Sequence, residues 1–433
     1  MILRQQYLKR LAGDLDTWAQ RGLVDPANIP AILKHAQGTA SPNRLTTLLA
    51  ILGVVLLGFA AMSFVAANWA EMPRLTRLLI LGGSMWTAIG IAIWQARRDT
   101  GPLYTDAAVL LAVILYGVAI MLIGQMYHVA GEYSGGLMLW MLGALLTAWL
   151  VPSRAALALA IILMPIWSIA ALIDTPTVLH WQFIIPISLA GLLVAGMGWR
   201  FGAHLIILAW GVWFGASGAW LMGELGWPPT GVFAIWIFIA LTIFAKGHIN
   251  MRVIAPFEDA MIHWGLFAAM AVGFLIPMTK ESGDVADSAT LLLAVPLALA
   301  VLGTTGLALM QKRLSLVDAA VLMGATIILL AFPVARGVFG EGIDWLFIIG
   351  YFAATIWCIS YGTRTHDRFS VNLGFVAFGL MALYVYFETI GTLLGTAAFF
   401  ALGGVLLIGL SIGLQRVRKY VLAQQTTDKE TSA

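Results

Sequence analysis

The sequence is dominated by apolar runs of about 18 or more residues that follow one another with short polar segments between them. A run of that length crosses the roughly 30 Å hydrocarbon core of a bilayer as a helix, which satisfies its own backbone hydrogen bonds. Charged residues make up 10% of the chain, whereas a typical soluble domain carries about 25%. We therefore expect an all-α, polytopic integral membrane protein, in contact with the lipid bilayer. The strands of an outer-membrane barrel alternate over about 10 residues, and these runs do not.

Fourteen spans fit into the chain after residue 44, and the loops between them are too short for a second folded domain. The predicted spans are 45–67, 75–96, 106–125, 135–151, 155–173, 181–198, 203–223, 230–246, 259–277, 289–310, 317–335, 344–361, 371–387 and 393–414.

The distribution of Lys and Arg predicts the orientation of these spans, because short cytoplasmic loops retain positive charge. With the N-terminus inside and fourteen alternating helices, twenty of the 24 Lys and Arg lie in cytoplasmic segments. The outer loops then contain Arg74, Arg77, Lys280 and Arg336. One missed span would reverse every later loop and remove the bias. We expect a bacterial cytoplasmic (inner) membrane protein with both termini in the cytoplasm.

The N-terminal segment, residues 1–44, differs from the rest of the chain. Its first part has apolar residues three or four apart, as in an amphipathic helix. Asp25 suits the N-cap of a second short helix, and Pro26 its first position. The sequence thus predicts three parts: a cytoplasmic helical hairpin over 1–44, a transmembrane helical domain over 45–415, and a cytoplasmic polar tail over 416–433.

Two further features bear on how the helices pack. The segment "GVWFG" (211–215) matches the GxxxG pattern, which allows two helix backbones to approach closely. Cys358 is the one cysteine of the chain, which excludes an internal disulfide, and its apolar surroundings in sequence indicate a buried thiol.

The end of the third predicted span, "LIGQMYHVAGEY" (122–133), is unusually polar. Gln125, His128 and Glu132 are three and four residues apart, so a continuing helix would place them on one face. Tyr127 is typical of an anchor at headgroup level. One interpretation is an interfacial cap, in which these groups satisfy the last carbonyls of the helix. The other is an outward-facing polar pocket with a titratable histidine.

Other predicted spans bring polar residues to the same outer face. The first span closes with Asn68 and Trp69, Arg336 follows Pro333, and Glu388 interrupts a long apolar stretch. Ionisable groups at membrane depth are functional candidates, since their burial is costly. The candidate substrate-binding residues are Asn68, Trp69, Gln125, Tyr127, His128, Glu132, Arg336 and Glu388.

The segments "FVAANW" (64–69), "LIGQMYHVAGEY" followed by "LW" (122–140) and "PSRAALALA" (152–160) resemble the bacterial family of predicted membrane proteins called domain of unknown function 2157. The N-terminal Trp18, Gly22 and Leu23 are similar to its "W…GL" element. The resemblance covers about residues 1–160. It implies no activity, but it increases the interest of Asn68, Trp69, Gln125, Tyr127 and His128.

Three classes of function remain open. Fourteen spans with short loops and outer polar groups favour a transporter or a lipid flippase acting on a small-molecule or lipid substrate. The alternatives are a non-catalytic envelope protein that acts through membrane-protein partners, and a membrane-embedded enzyme using His128. The sequence contains no nucleotide-binding, zinc-protease or serine-hydrolase motif, so we expect no catalytic residue, no cofactor and no metal. Its clusters of Lys and Arg are too short for a nucleic-acid surface.

Overall fold

The computed structural model describes residues 11, 13–22, 24–32, 49, 52–57, 59–60, 63, 73–97, 102–126, 133–176, 179–250, 252–279, 288–390, 404–405, 408–409, 411–413 and 415. Every regular element in these residues is a helix. The long helices are α1 (Arg74–Arg97), α2 (Pro102–Met126), α3 (Tyr133–Leu150), α4 (Arg154–Asp174), α5 (Ile184–Gly196), α6 (Arg200–Glu224), α7 (Pro229–Gly247), α8 (Glu258–Leu275), α9 (Ser288–Met310), α10 (Leu316–Phe339), α11 (Asp344–Arg364) and α12 (Arg368–Ile390).

Within the described residues, ten helices are long and apolar enough to cross a membrane. The apolar stretches Trp181–Gly196, which contains α5, and Leu316–Phe332 of α10 are shorter. The twelve long helices coincide with predicted spans two to thirteen. Spans one and fourteen, 45–67 and 393–414, lie largely outside the described residues. The protein is therefore an all-helical membrane protein, and the total of fourteen spans stays a prediction.

The outward surfaces of these helices are apolar. Leu292 and Ile173 are each 75% exposed, and Leu346 is 62% exposed. Soluble monomers rarely expose contiguous apolar patches larger than a few hundred Å². Lipid chains are the solvent that such side chains require, which agrees with the length and composition of the helices.

The first of two compact units comprises Met1–Val129. Asp25 caps a short 3-10 helix, Pro26–Asn28, by accepting a hydrogen bond from the Ala27 N–H at 3.0 Å. The predicted cap is thus confirmed, while the hairpin as a whole stays a prediction. In the same unit α1 packs on α2, where buried Leu81 contacts the cluster of Val118 and Leu122.

The second unit, Ala130–Ala433, contains α3 to α12. Its main apolar core extends over α7 to α12 and includes the fully buried side chains of Phe238, Phe244, Val301 and Met381. Cys358 is also fully buried in this core, and its Sγ donates to the Ser370 carbonyl at 3.2 Å. The sequence-based expectation of a buried thiol is confirmed.

Close helix contact in this unit depends on glycines other than those of the GxxxG motif. A Cβ at Gly265 of α8 would lie 2.8 Å from the Ala240 carbonyl oxygen and 2.7 Å from the Phe244 nitrogen, both on α7. By contrast, a Cβ at Gly211 or Gly215 would have nothing within 4 Å. Within the described residues, neither glycine of "GVWFG" lies against the backbone of another helix. A short motif fixes the spacing of two glycines, but the neighbouring helices decide which face meets a backbone.

Candidate ligand cavity between three spans

Most residues of the sequence-predicted outer site lie outside the part of the chain that the structure describes. Asn68, Trp69, Tyr127, His128 and Glu132 lie outside the described residues. Gln125 lies in the last turn of α2, and Arg336 lies in the last turn of α10. Glu388 lies in the last turn of α12 and is exposed. The side-chain positions of Gln125 and Arg336 are likewise outside the description. Whether these residues form a pocket stays a prediction.

The described residues do form a cavity elsewhere, between α6, α7 and α8 of the second unit. Its volume is about 330 Å³. Pockets for small organic ligands begin at about 300 Å³, so the space suffices for part of an amphiphile. The lining residues are Ile207, Leu208, Trp210, Gly211, Val212, Phe214 and Gly215 on α6, Trp236, Ile239, Ala240 and Ile243 on α7, and Trp264, Gly265, Phe267, Ala268 and Val272 on α8.

All three helices contribute their central parts to this cavity. The α6 lining begins seven residues after Arg200 and ends nine before Glu224. The α7 lining, 236–243, lies within the candidate span Pro229–Gly247. The α8 lining, 264–272, lies in the middle of the candidate span Ala255–Met278. Because each of these helices is a candidate membrane span, the cavity lies at the depth of the lipid chains rather than the headgroups.

The cavity wall is aromatic on the α6 side. Trp210 stacks on Phe214, with ring centroids 5.5 Å apart, and it meets Trp213 edge to face at the same separation. Trp213 in turn stacks on the buried Phe183. Such ring pairs are worth about 0.5–1.5 kcal/mol each beyond their area burial. Gly211 and Gly215 follow on the same helix and leave space where side chains would otherwise stand.

Trp264 connects the apolar wall to a polar group. Its ring lines the cavity, and its Nε1–H donates to Nδ1 of His204 at 3.0 Å. His204 precedes the lining residues Ile207 and Leu208 by three and four residues, so it lies on the same face of α6 about one turn nearer the helix start. A nitrogen that accepts a hydrogen bond carries no proton, which assigns the proton of neutral His204 to Nε2.

The residue before Trp264 makes a contact in another direction. Nε2 of His263 lies 3.3 Å from Oδ2 of Asp367, the residue immediately before α12. Asp367 caps α12, since its carboxylate accepts from the Phe369 N–H and from both the backbone N–H and the hydroxyl of Ser370. Burial raises the pKa of the Asp367 carboxyl, but the hydrogen bonds from His263 and Ser370 outweigh burial and hold it at about 2. The carboxylate is therefore ionised at neutral pH.

A second polar cluster joins the ends of α7, α10 and α11. Asp318 is bound bidentately by Arg364, at 2.5 and 3.2 Å, and Trp357 Nε1–H donates to it at 2.9 Å. Tyr361, one turn before Arg364, bonds to Nε2 of His248 at 2.9 Å. Nδ1 of His248 faces the Phe244 carbonyl, an acceptor, so Nδ1 carries the proton and Nε2 accepts from the tyrosine.

Burial lowers the pKa of His248, which lies just after α7. The neutral imidazole is thus the stable form in the fold, because a buried charge loses its hydration. Together the contacts of His248, His263 and Asp318 bring the end of α7 and the starts of α8, α10 and α12 to one side of the second unit. Among the described residues, no group of three or more His, Cys, Asp or Glu is arranged to bind a metal ion.

These polar groups did not stand out in the sequence. His204, His263 and Asp367 are far apart in the chain, and the charge pattern explains Arg364 as an ordinary loop cation. One signal was available: Asp318 is the first acid inside the apolar stretch "SLVDAAVLMGATIILL", and an acid in such a stretch requires a partner.

Comparison with known families bears on the first part of the chain. Residues 16–157 match the family described as "Predicted membrane protein (DUF2157)". The match confirms the resemblance carried by "FVAANW" and "LIGQMYHVAGEY". It ends at Leu157 in α4, so the matched region contains α1 to α3 and does not include the α6–α8 cavity. No curated protein and no solved structure matches the chain.

Proposed function

We propose that this membrane protein is a transporter or flippase-like protein that takes the hydrocarbon chain of a lipid-like molecule into the α6–α8 cavity. The observation that carries the proposal is the position of a roughly 330 Å³ apolar cavity in the central parts of three candidate spans. At that depth the surrounding solvent is acyl chain, so a ligand with an apolar portion reaches the cavity laterally from the bilayer.

The physical basis for binding differs from that in water. A chain that leaves the bilayer for this cavity exchanges one apolar environment for another, so the hydrophobic effect contributes little. The gain comes from dispersion contacts with a fixed aromatic wall, at about 0.1–0.2 kcal/mol per atom pair. Trp210, Phe214 and Trp264 supply that wall. We infer a weak site selective for chain shape, as transport requires a ligand that can leave.

The proposal retains the sequence-predicted substrate-binding residues as candidates. Asn68, Trp69, Gln125, Tyr127, His128, Glu132, Arg336 and Glu388 are assigned to contacts with the polar portion of the substrate near the outer face. The supporting observation is the spacing of Gln125, His128 and Glu132 in the sequence. The bacterial inner membrane as location, the cytoplasmic termini and the division into hairpin, membrane domain and tail at residues 44 and 415 belong to the same proposal.

The decisive experiment fills the cavity without disturbing the helix packing. In Gly215→Leu the new side chain enters open space, since nothing lies within 4 Å of a Cβ there. Gly303→Leu on α9 is the matched control: it also has nothing within 4 Å, and it lies outside the cavity lining. Both variants change a helical glycine to leucine, so their effects on helix propensity are equal.

The measurement is the lipid retained by the purified protein in native mass spectrometry, together with the rate at which it moves fluorescent phospholipid between leaflets of vesicles. We expect the parent protein and Gly303→Leu to retain lipid and to move it at equal rates, and Gly215→Leu to lose both. Equal lipid retention and movement by all three proteins would overturn the proposal. It would favour the alternative of an envelope protein that acts through protein partners.

A further inference from the structure

Two adjacent residues of α8 connect that helix to different neighbours through histidine. Trp264 donates to Nδ1 of His204 on α6, at 3.0 Å, and His263 faces Oδ2 of Asp367 before α12, at 3.3 Å. Helices α6 and α8 are also two of the three walls of the cavity. Both contacts therefore involve α8, which is a wall of the cavity.

Protonation affects the two contacts in opposite ways. The Trp264 bond needs a lone pair on Nδ1 of His204, and an imidazolium has none, because both of its nitrogens are donors. A proton on His204 therefore breaks this hydrogen bond between α6 and α8. The His263 contact is with an ionised carboxylate, so a proton on His263 converts it into a charge-assisted hydrogen bond, roughly twice as strong as a neutral one. That proton strengthens the connection between α8 and α12.

The polar side chains of this region are only partly buried. The side chain of His263 is 31% exposed and that of Asp367 is 23% exposed. His204 is half-buried, whereas Asp259 in the first turn of α8 is exposed. Asp259 acts electrostatically on both imidazoles, and the two imidazoles act on each other.

The other charged and titratable groups on the surrounding elements lie at the helix ends. On the side of the two histidines they are Arg154 at the start of α4, Arg200 at the start of α6, Lys246 and His248 at the end of α7, Arg252 and Glu258 before and at the start of α8, and Arg368 at the start of α12. At the other ends of these helices they are Asp174 of α4, Glu224 of α6, and Tyr384, Tyr386 and Glu388 of α12. Asp367 is held ionised by its capping bonds, so the two imidazoles are the groups of this cluster that can take up a proton.

We propose that His204 and His263 form a proton-binding site at one end of the α6–α8 cavity, at which proton uptake releases α8 from α6, holds α8 to α12, and opens the cavity to its ligand. This site rests on the proposed function for its ligand, a lipid-like amphiphile, and it supplies that function with a coupling ion. No bond other than a hydrogen bond changes, and the proton comes from water.

The first test measures opening without any lipid-like ligand. Ala268→Cys places a thiol on the cavity wall, while Gly303→Cys outside the cavity corrects for the pH dependence of thiol chemistry. The native Cys358 is fully buried and contributes little background. We expect the rate of maleimide modification of Ala268→Cys, relative to Gly303→Cys, to rise about threefold or more from pH 8 to pH 5.5. A constant ratio would overturn the proposal.

Two further substitutions separate the two contacts. Trp264→Phe keeps an aromatic wall but removes the N–H donor, so the ratio should be high at every pH. Asp367→Asn keeps a good helix cap but removes the carboxylate charge, so the rise at acid pH should be reduced. His248→Gln, a titratable group in the other polar cluster, should respond to pH as the parent does. A pH response that survives unchanged in Trp264→Phe would also overturn the proposal.

The same proteins in phosphatidylcholine nanodiscs with about one per cent nitroxide-labelled phosphatidylcholine distinguish this site from the proposed function. The readout is quenching of tryptophan fluorescence by the label. Accessibility that rises at acid pH without any lipid binding contradicts the proposed function and supports the proton site. Lipid binding that is equal at pH 5.5 and pH 8, with constant accessibility, contradicts the proton site and supports the proposed function.

Discussion

Trp357 and Asp318 are joined by an indole N–H that donates to Oδ1 of the carboxylate at 2.9 Å, although 39 residues separate them in the chain. The same carboxylate is bound by Arg364, and the Asp318 side chain is only 5% exposed. The contact thus holds the start of α10 to the last two turns of α11, within an otherwise apolar core.

Removal of this carboxylate should destabilise the second unit. In Asp318→Ala the buried Trp357 N–H and the half-exposed guanidinium of Arg364 lose their acceptor, which we expect to cost about 1–3 kcal/mol. The loss should appear as a lower Tm of the detergent-solubilised protein, measured by tryptophan fluorescence. Asp259→Ala, at an exposed position, is the control, and its Tm should stay near that of the parent. Equal Tm values for the two variants would contradict this account of the cluster.

Gly265 should tolerate no side chain. A methyl group there would meet the α7 backbone at 2.7–2.8 Å, and backbone atoms cannot rotate away as a side chain can. We expect Gly265→Ala to force α7 and α8 apart and to cost about 1–3 kcal/mol, despite the better helix propensity of alanine. Thermal unfolding provides the measurement. Gly211→Ala, with open space around it, should be neutral or slightly stabilising, and a loss of equal size there would refute the packing argument.

The neutral state of His248 predicts a pH dependence of stability. Its pKa is lowered in the folded protein by burial, so the unfolded chain binds a proton first as the pH falls. The contribution of this histidine is fully present above the unfolded pKa of about 6.5, and it is lost as the pH decreases towards the folded pKa. Comparison of Tm between pH 5 and pH 8 should show a smaller decrease for His248→Gln than for the parent. An identical slope would assign the decrease to other groups.

The contribution of Asp367 to stability should change with pH in a more acidic range than that of His248. Its pKa of about 2 lies below the unfolded value of about 3.9, so the stability it contributes is present above pH 3.9 and is lost as the pH falls through 2. Asp367→Asn should therefore have a lower Tm at pH 6 but approach the parent below pH 3. Circular dichroism recorded against temperature measures the Tm of the variant and of the parent at each pH. A constant difference at all pH values would point to packing rather than charge.

The outer polar segment allows a direct test of the predicted pocket. If Gln125 and His128 face a functional pocket, His128→Ala should abolish lipid movement while protein level and helix content remain those of the parent. Gln125→Leu combined with His128→Leu is the sharper variant, since leaving either group unpaired in an apolar setting costs roughly 2–7 kcal/mol. A double variant as stable and as active as the parent would identify the segment as an interfacial cap.

The sequence by itself determined the class of the protein and the positions of its helices. Apolar runs long enough to cross a bilayer are a local property, because the backbone hydrogen bonds of a membrane helix are made within its own segment. The cap formed by Asp25 and Pro26 is local as well, since its partners are neighbours in the chain. The resemblance to DUF2157 likewise lay in short segments such as "FVAANW", and the match over residues 16–157 confirms it.

Only the tertiary structure decided which polar residues meet and which glycines face a backbone. Gly211 and Gly265 are equally small in the sequence, yet one lines a cavity and the other lies against α7. His263 and Asp367 are 104 positions apart by number, and their contact depends on how α8 and α12 are placed. Helix periodicity gives each residue a face but not the neighbour of that face, because packing partners in a bundle of uniformly apolar helices are selected by shape.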